Sequence, residues 1–281
     1  MCRWLAYSGS PIALKSLIIE PARSLLIQSR FARENYVEGL PEFPDGAFPT
    51  NGDGFGIGWY DRLPTPGVFR ESRPAWSDRN LISLAEQIRS PLFFAHLRAA
   101  YDGIVQQTNS HPFSYGNWLF QHNGEISGYK EIYRQLRTEV REDLYPYMEG
   151  TTDTENCFYL ALGFGLETKP KDALLKMVSL IERYRNDAGI EAPFRLTCAA
   201  TDSHTIHAVR YASHGRQKTL YISNEIEALR EIDGGREDIP ADARIILSEP
   251  LDDCDKHWQA IPENSYVTIC DGQVEIDEFS P

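Results

Sequence analysis

Short apolar runs, rich in aromatic and β-branched residues, recur along the chain between Gly, Pro, Asn and Asp residues. Runs of this kind are typical of β-strands. They predict strands at Arg3–Tyr7, Phe55–Tyr60, Leu92–Leu97, Trp118–His122, Phe194–Ala200, Ile206–Arg210, Leu220–Ser223, Ile245–Ser248 and Tyr266–Cys270.

Apolar residues at helical spacing interrupt the strand pattern in three places. Ser77 is predicted to N-cap the first helix, and the third follows Pro170. Thr152 and Glu155 form a T-x-x-E capping box that opens the second. The apolar faces comprise Leu81, Leu84, Ala85 and Ile88, then Phe158, Tyr159 and Leu162, then Leu174, Leu175, Val178 and Ile181. Strands in groups with helices between them predict an α+β domain built in layers.

Two stretches between predicted strands are rich in glycine. Val37–Gly54 also contains several prolines and predicts a long surface loop, and Asp233–Gly235 forms a second break. Strand candidates continue on both sides of each stretch, so neither is expected to separate domains. We therefore expect one domain over residues 2–281.

Composition narrows the classes of partner. The chain has 281 residues, and its formal net charge of −13 argues against a nucleic-acid surface, which needs clustered Lys and Arg. It contains no run of 18 or more apolar residues and no basic region ahead of an apolar segment, so neither a membrane span nor a signal peptide is expected. The five cysteines are widely spaced without a C-x-x-C pair, which argues against disulfides and a cysteine zinc site and favours the reducing cytoplasm.

Cys2 follows the initiator methionine directly and leads into a predicted strand. If Met1 is removed, which is expected before a small residue, the chain starts with a residue that carries both a thiol and a free α-amine. Reference pKa values are about 8.5 for a thiol and about 7.7–8.0 for an α-amine, so the amine can serve as the base for the thiol. Position alone leaves open that the cysteine is simply a small residue after methionine.

Three other motifs carry candidate chemistry, each with a structural alternative. Asn123-Gly124 is a turn signal, but an Asn amide beside a Gly N–H also makes a good oxyanion hole. Arg98 ends a predicted strand and can hold a carboxylate or form a structural ion pair. Asp153 falls in the first turn of a predicted helix, where the helix dipole favours an acid, and it can also bind an ammonium group.

The spacing of the glycines argues against a nucleotide-binding site, and the spacing of the histidines argues against a zinc site. The glycines of "NGDGFGIGWY" fit neither G-x-G-x-x-G nor a P-loop, and their alternation suits a strand that lies close to another backbone. His96, His111 and His122 end or follow strand-like runs without zinc-binding spacing. We therefore expect no metal site and no cofactor.

In this order, a cysteine after Met1, "DGFGIGWY", "AHLRAA", "NSHPF", "FQHNGEI" and "TTDTE" resemble the class II glutamine amidotransferases, an N-terminal nucleophile group. The later "ILSEPLDD" and "WQAIPENS" resemble its stand-alone branch, which lacks a synthase domain and includes proteins of ergothioneine biosynthesis. The resemblance implies a four-layer αββα sandwich of two antiparallel sheets, the Ntn-hydrolase fold. Catalytic motifs would lie within residues 2–155, and strands within residues 194–281 would complete the sandwich.

The same resemblance implies residue roles. Cys2 would attack the γ-amide of glutamine, and its α-amine would pass the thiol proton to the departing ammonia. Asn123 and Gly124 would hold the tetrahedral oxyanion, and water would resolve the resulting thioester.

Two further roles concern the amino-acid head group of the substrate. Arg98 would bind its α-carboxylate and Asp153 its α-ammonium, while His111 would shape the pocket. The segment between Arg98 and His111 is longer than in the better-known members, and Ser110 stands where they have threonine. These departures leave the substrate open between free glutamine and another γ-glutamyl amide.

The expected activity is therefore cysteine-dependent hydrolysis of glutamine or of a γ-glutamyl amide, with a small-molecule substrate. One alternative is an ammonia donor to an unlinked synthase partner, because no synthase signature follows in the chain. The other is a non-catalytic regulatory or binding module on the same fold.

Overall fold

Two antiparallel sheets form the centre of the molecule. The computed structural model describes residues 2–35, 49–100, 103–224 and 239–281. Within them the first sheet has seven strands in the order β11-β9-β10-β1-β4-β2-β3. Its strands are β1 (Arg3–Ala13), β2 (Phe55–Tyr60), β3 (Gly67–Glu71), β4 (Arg89–Leu97), β9 (Tyr221–Ser223), β10 (Arg244–Leu247) and β11 (Trp258–Ala260).

The second sheet has six strands among the described residues, in the order β13-β12-β8-β7-β6-β5. They are β5 (Phe113–Tyr115), β6 (Trp118–Ile126), β7 (Phe194–Thr201), β8 (Ile206–Ala212), β12 (Ser265–Cys270) and β13 (Gln273–Glu278). Every strand pair in both sheets is antiparallel.

Helices cover the outer face of each sheet. Apolar residues of α1 (Lys15–Ile18), α2 (Leu25–Arg30) and α3 (Arg79–Gln87) pack on the first sheet. Those of α4 (Tyr129–Thr138), α5 (Asp153–Gly163) and α6 (Pro170–Asp187) pack on the second. A third apolar core lies between the two sheets. The expected αββα sandwich is confirmed.

Strand β1 is buried on both faces from Arg3 to Ser8, which explains why apolar residues fill consecutive positions from Trp4 to Tyr7. Leu5 and Tyr7 pack toward the helices, whereas Trp4 and Ala6 pack between the sheets. The Trp4 indole N–H donates to the carbonyl of Thr197 in the second sheet at 3.2 Å. The strand that follows Cys2 is therefore fixed in the middle of the fold.

All the predicted strands and helices overlap observed ones, and the errors have simple causes. Asp78, and not Ser77, caps α3 by accepting from the Leu81 N–H at 2.9 Å. The pattern missed β3, β5, β11 and β13, which are short or exposed, and α1, α2 and α4. Among the residues of α4, only Ile132 and Leu136 are buried, so its apolar face is too narrow to stand out.

The predicted N-cap of α5 by Thr152 is confirmed, but Glu155 does not make the contact that a capping box implies. The Thr152 hydroxyl accepts from the Glu155 N–H at 3.1 Å. The Glu155 carboxylate turns to the preceding loop and accepts from the N–H groups of Glu149 and Gly150. Helix α5 is thereby tied to the loop before it.

Two predicted breaks lie wholly or partly outside the described residues: Asp233–Gly235, and the loop Val37–Gly54 up to residue 48. Met1 also lies outside them. No helix in the described parts of the chain is both long and apolar enough to cross a bilayer.

Candidate active site

One cavity of about 380 Å³ opens where the two sheets meet α5. Its walls come from the start of β1, the end of β4, the end of β6 and the first turn of α5. Five of the six predicted site residues line it: Cys2, Arg98, His111, Gly124 and Asp153. Asn123 directly precedes the lining residue Gly124, but it is not itself among the described residues that line the cavity.

Cys2 lies half-buried immediately before β1. Its thiol contacts the carbonyl of Ala99, with Sγ 4.0 Å from the oxygen. Arg3 pairs with Leu97 across the β1–β4 ladder, so Cys2 comes beside the residues that follow β4. Side chains alternate along a strand, so Cys2 shares the face of Trp4, which is directed at the second sheet.

Arg98 is 5% exposed and is held by the loop that precedes β2. Its N–H donates to the carbonyl of Gly54 at 2.8 Å, and its Nη1 donates to that of Asp53 at 3.3 Å. The Asp53 carboxylate accepts from the Ala100 N–H at 2.8 Å. Within the described ranges no carboxylate lies within ion-pair distance of the Arg98 guanidinium. Most of its donors are therefore available to a ligand carboxylate, because a guanidinium carries five N–H groups.

Asn123 and Gly124 lie inside β6 and not in a hairpin turn, so the turn alternative is wrong. Asn123 is 1% exposed, and both polar atoms of its side-chain amide lack a hydrogen-bond partner in the structure. Such a buried amide is rare in proteins, since leaving it unpaired costs stability. A Cβ at position 124 would overlap the carbonyl oxygen of Arg195, so only glycine fits there.

Asp153 makes two backbone contacts at the start of α5. Its Oδ2 accepts from the Ile126 N–H at 3.0 Å, which joins the helix to the end of β6. Its Oδ1 accepts from the Thr154 N–H at 2.8 Å. The Thr154 hydroxyl also lies 3.4 Å from Oδ1, so the second acceptor site of Oδ2 is the one left for a ligand cation.

Three histidines are packed together, and two of them, His111 and His122, line the cavity. Nδ1 of His111 lies 2.7 Å from Nε2 of His96. The same Nε2 atom lies 3.0 Å from the backbone carbonyl oxygen of His122. His122 contacts the Thr154 hydroxyl at 2.9 Å. Burial lowers the pKa of His96 to about 3 and that of His111 well below its ordinary value. These rings are therefore neutral near pH 7.

The glycines of β2 bring His111 to its place. A Cβ at Gly56 would overlap the carbonyl oxygen of His111, and one at Gly58 would lie 2.8 Å from Pro112. The glycine face thus lets the His111 segment lie directly on the first sheet. The prediction of a close backbone approach at these glycines is confirmed.

The sequence reasoning missed three residues that contact candidate site residues or their neighbours. Asp53 holds the residues after Arg98, and Thr154 contacts His122. Glu249 contacts Arg3, the neighbour of Cys2. Asp53 and Thr154 lie within motifs quoted above, and Glu249 lies within "ILSEPLDD". The sequence therefore contained the signal for each residue, but it did not predict which residue each one contacts. In the described parts of the chain no group of three or more His, Cys, Asp or Glu side chains could hold a metal ion.

Similar proteins agree on one family. The profile described as "Glutamine amidotransferases class-II" matches residues 44–280, a range that does not include Cys2. The probable glutamine amidotransferase DUG3 of Saccharomyces cerevisiae is 34% identical, over 96% of this chain and 82% of its own length. The gamma-glutamyl-hercynylcysteine sulfoxide hydrolase of Mycolicibacterium smegmatis is 35% identical over 45% of this chain and 52% of its own.

Solved structures agree with this result. A glutamine aminotransferase class-II domain protein from Silicibacter pomeroyi superposes with a TM-score of 0.73 at 28% identity, over the full length of both chains. The glutamine phosphoribosylpyrophosphate amidotransferase of B. subtilis shares the fold, with a TM-score of 0.63 at 13% identity over 49% of its own chain. The chain therefore belongs to the class II glutamine amidotransferases and is an amidohydrolase of that type.

Proposed function

We propose that the protein hydrolyses the γ-amide of glutamine, or of a γ-glutamyl amide, through a thioester on Cys2. One observation carries the proposal: a single cavity is lined by a thiol, a guanidinium without a carboxylate partner among the described residues, and a carboxylate. They lie in Cys2, Arg98 and Asp153, which are far apart in sequence. A nucleophile beside one cation and one anion suits an α-amino acid whose side chain ends in an amide.

The chemistry starts at Cys2 after removal of Met1. The α-amine takes the thiol proton, and the sulfur attacks the γ-carbonyl carbon to form a tetrahedral oxyanion. Collapse breaks the C–N bond, and the amine gives its proton to the departing ammonia or amine. Water then attacks the thioester, the C–S bond breaks, and glutamate leaves as the thiol regains its proton.

Asn123 and Gly124 are the proposed oxyanion donors. Within the described ranges the buried Asn123 amide has no hydrogen-bond partner, which makes it available to a ligand oxygen. The Ile126 N–H points away from β7, to Asp153. Alternate N–H groups of a strand point to the same side, so the Gly124 N–H is directed that way too. Strand β5 pairs with β6 only at residues 118–120, so this side of Gly124 has no strand partner among the described residues.

The head group of the substrate is proposed to bind between Arg98 and Asp153. Two parallel N–H groups of a guanidinium match the geometry of a carboxylate. Burial holds the pKa of His111 well below its ordinary value, which makes the ring a poor proton acceptor, and its neighbours fix it in the wall of the cavity.

The cavity also favours leaving groups larger than ammonia. Beyond Gly124 its wall continues along residues 125–131, past the end of β6 and into α4. The relative from Mycolicibacterium smegmatis named above is, by its name, a hydrolase of a γ-glutamyl compound. A γ-glutamyl amide of a larger amine is therefore our second candidate substrate.

Covalent labelling tests the nucleophile. The purified protein is first weighed by mass spectrometry to check for loss of Met1, then treated with a diazo-ketone analogue of glutamine and mapped by peptide mass. We expect one adduct, on Cys2. Cys254 and Cys270 are half-exposed like Cys2 and serve as internal controls for simple thiol access.

Activity tests the rest of the proposal. Ammonia release from glutamine is measured beside amine release from γ-glutamyl amides, in wild type and in Cys2→Ala. We expect hydrolysis by wild type and none by the variant. Label on Cys157 or Cys198, or activity that survives in Cys2→Ala, contradicts the proposal. Binding of glutamine without turnover would instead indicate a regulatory module, and turnover only with an added synthase would indicate an ammonia donor.

A further inference from the structure

A buried carboxylate that is not among the described residues lining the cavity contacts Arg3, the residue after Cys2. Glu249 follows β10, and its side chain is fully buried. It accepts from Arg23 Nη2 at 2.9 Å and from the backbone N–H groups of Arg33 and Glu34 at 2.9 and 3.0 Å. The Nε of Arg3 lies 3.1 Å from Glu249 Oε2 in an ion pair, although its N–H is not aligned as a hydrogen bond. One carboxylate thus joins four points of the first 34 residues.

Ser248, the residue before Glu249, contacts Trp4, the residue after Arg3 in β1. Its N–H donates to the carbonyl of Trp4 at 3.0 Å, and its hydroxyl accepts from the Trp4 N–H at 2.9 Å. Residues 248 and 249 therefore hold residues 3 and 4 with both backbone and side-chain contacts.

The Arg3 guanidinium extends this hold to the nucleophile. Its Nη1 donates to the carbonyl oxygen of Cys2 at 3.3 Å, while its Nε faces Glu249. The Arg3 side chain is 2% exposed, so water cannot replace either contact easily. The α-amine of Cys2 is joined to this carbonyl carbon through a single Cα, so fixing the carbonyl limits where the amine can point.

We propose that Arg3 and Glu249 are positioning residues for Cys2. Glu249 orients the guanidinium of Arg3, and Arg3 holds the Cys2 carbonyl so that thiol and α-amine stay aligned with the amide of the substrate. This inference rests on the proposed function, because it matters only if Cys2 is the nucleophile. Neither residue touches the substrate in this arrangement.

Glu249→Gln is the decisive variant. Glutamine keeps the shape and an acceptor oxygen for the N–H groups, but it removes the charge that orients Arg3. The matched control is Asp253→Asn, the same change of chemistry at a neighbouring acid that also pairs with Arg23, at 2.8 Å, but is 67% exposed. Labelling of Cys2 by the diazo-ketone counts the intact active sites in each preparation. The kcat is then expressed per labelled site, so that a loss of folded protein does not lower its value.

We expect Glu249→Gln to lower kcat per titrated site about 10- to 100-fold, as small misplacements of reacting groups do, with KM within about twofold of wild type. Asp253→Asn should match wild type. A folded Glu249→Gln with wild-type kcat per site overturns the inference, as does an equal loss in Asp253→Asn.

Arg3→Lys decides the question if Glu249→Gln cannot be obtained folded. Lysine keeps a positive charge for Glu249, but it lacks the rigid fork in which Nε faces Glu249 while Nη1 reaches the Cys2 carbonyl. We expect a similar loss of kcat, and a wild-type value overturns the inference. Failure of the proposed function looks different, because wild type itself would then lack hydrolysis that depends on Cys2.

Discussion

At the scale of single residues, most candidate groups of the site also have a structural role. Asp153 joins α5 to β6, and Arg98 is held by the loop around Asp53. Asn123 is the exception, because its buried amide has no hydrogen-bond partner among the described residues. An unpaired buried amide costs stability, so a substitution at Asn123 can separate an effect on activity from an effect on folding.

Asn123→Ala tests this separation. We expect kcat to fall about 10²- to 10³-fold, as for the loss of one oxyanion donor, with little change in KM. The free energy of unfolding should stay within about 1 kcal/mol of wild type, since the amide makes no hydrogen bond that the variant would lose. Steady-state kinetics and urea denaturation measure the two quantities.

Asn117→Ala is the control for Asn123→Ala. Asn117 lies at the turn before β6, and its side chain donates to the carbonyl of Asp202 at 2.9 Å. The control should keep wild-type kcat. If Asn123→Ala loses stability but keeps its kcat, the amide is a structural group and not an oxyanion donor.

At the scale of elements, the glycine face of β2 sets the distance between the His111 segment and the first sheet. Side chains of ordinary size at Gly56 and Gly58 would push this segment away from the sheet. Alternating glycines could be recognised in the sequence, but the partner of the close approach could not, because Gly56 and His111 are distant along the chain.

Gly56→Ala should damage both the fold and the site. The new methyl group overlaps the carbonyl of His111, so we expect a loss of about 1–3 kcal/mol in the free energy of unfolding. KM should rise because the His111 wall of the cavity moves. Thermal denaturation and kinetics on the same preparation measure both effects.

Gly163→Ala provides the comparison. Gly163 ends α5, and a Cβ there would meet nothing closer than 3.8 Å. We expect this change to be neutral or to stabilise by up to about 1 kcal/mol, as alanine favours helices over glycine. Equal losses in the two variants would mean that the close approach at Gly56 is unimportant.

At the scale of the whole molecule, strand identity and layering follow from the sequence, whereas contacts between layers do not. Apolar runs such as Phe55–Tyr60 and the cap at Thr152 are local features and are found as predicted. The contact of Glu249 with Arg3 joins opposite ends of the chain, and no local pattern encodes it. The family motifs supplied the candidate site residues, and the fold explains how five of the six come to line one cavity.

The buried neutral histidines make stability depend on pH. His96 has a native pKa of about 3 against an ordinary value of 6.5, because burial disfavours its charged form. Between these values the unfolded chain binds more protons than the native protein, so the free energy of unfolding falls as pH falls below about 6.5. We expect a loss of up to about 1.4 kcal/mol per pH unit for each such histidine, and full stability above this range.

Urea denaturation from pH 7.5 to pH 4.5 measures this dependence. His96→Gln should flatten the curve, whereas His204→Gln, at an exposed position, should leave it unchanged. Identical slopes in wild type and His96→Gln would show that another group causes the acid sensitivity.

The position of β1 between β4 and β10 has a consequence for synthesis on the ribosome. The strand that follows Cys2 pairs with residues 244–247, which are translated near the end of the chain. Translation adds roughly 5–20 residues per second, so the nascent N-terminus stays outside the finished sheet for many seconds. An aminopeptidase therefore has time to reach Met1 before the sheet closes, and Cys2 takes its fixed position only after residues 244–247 have emerged.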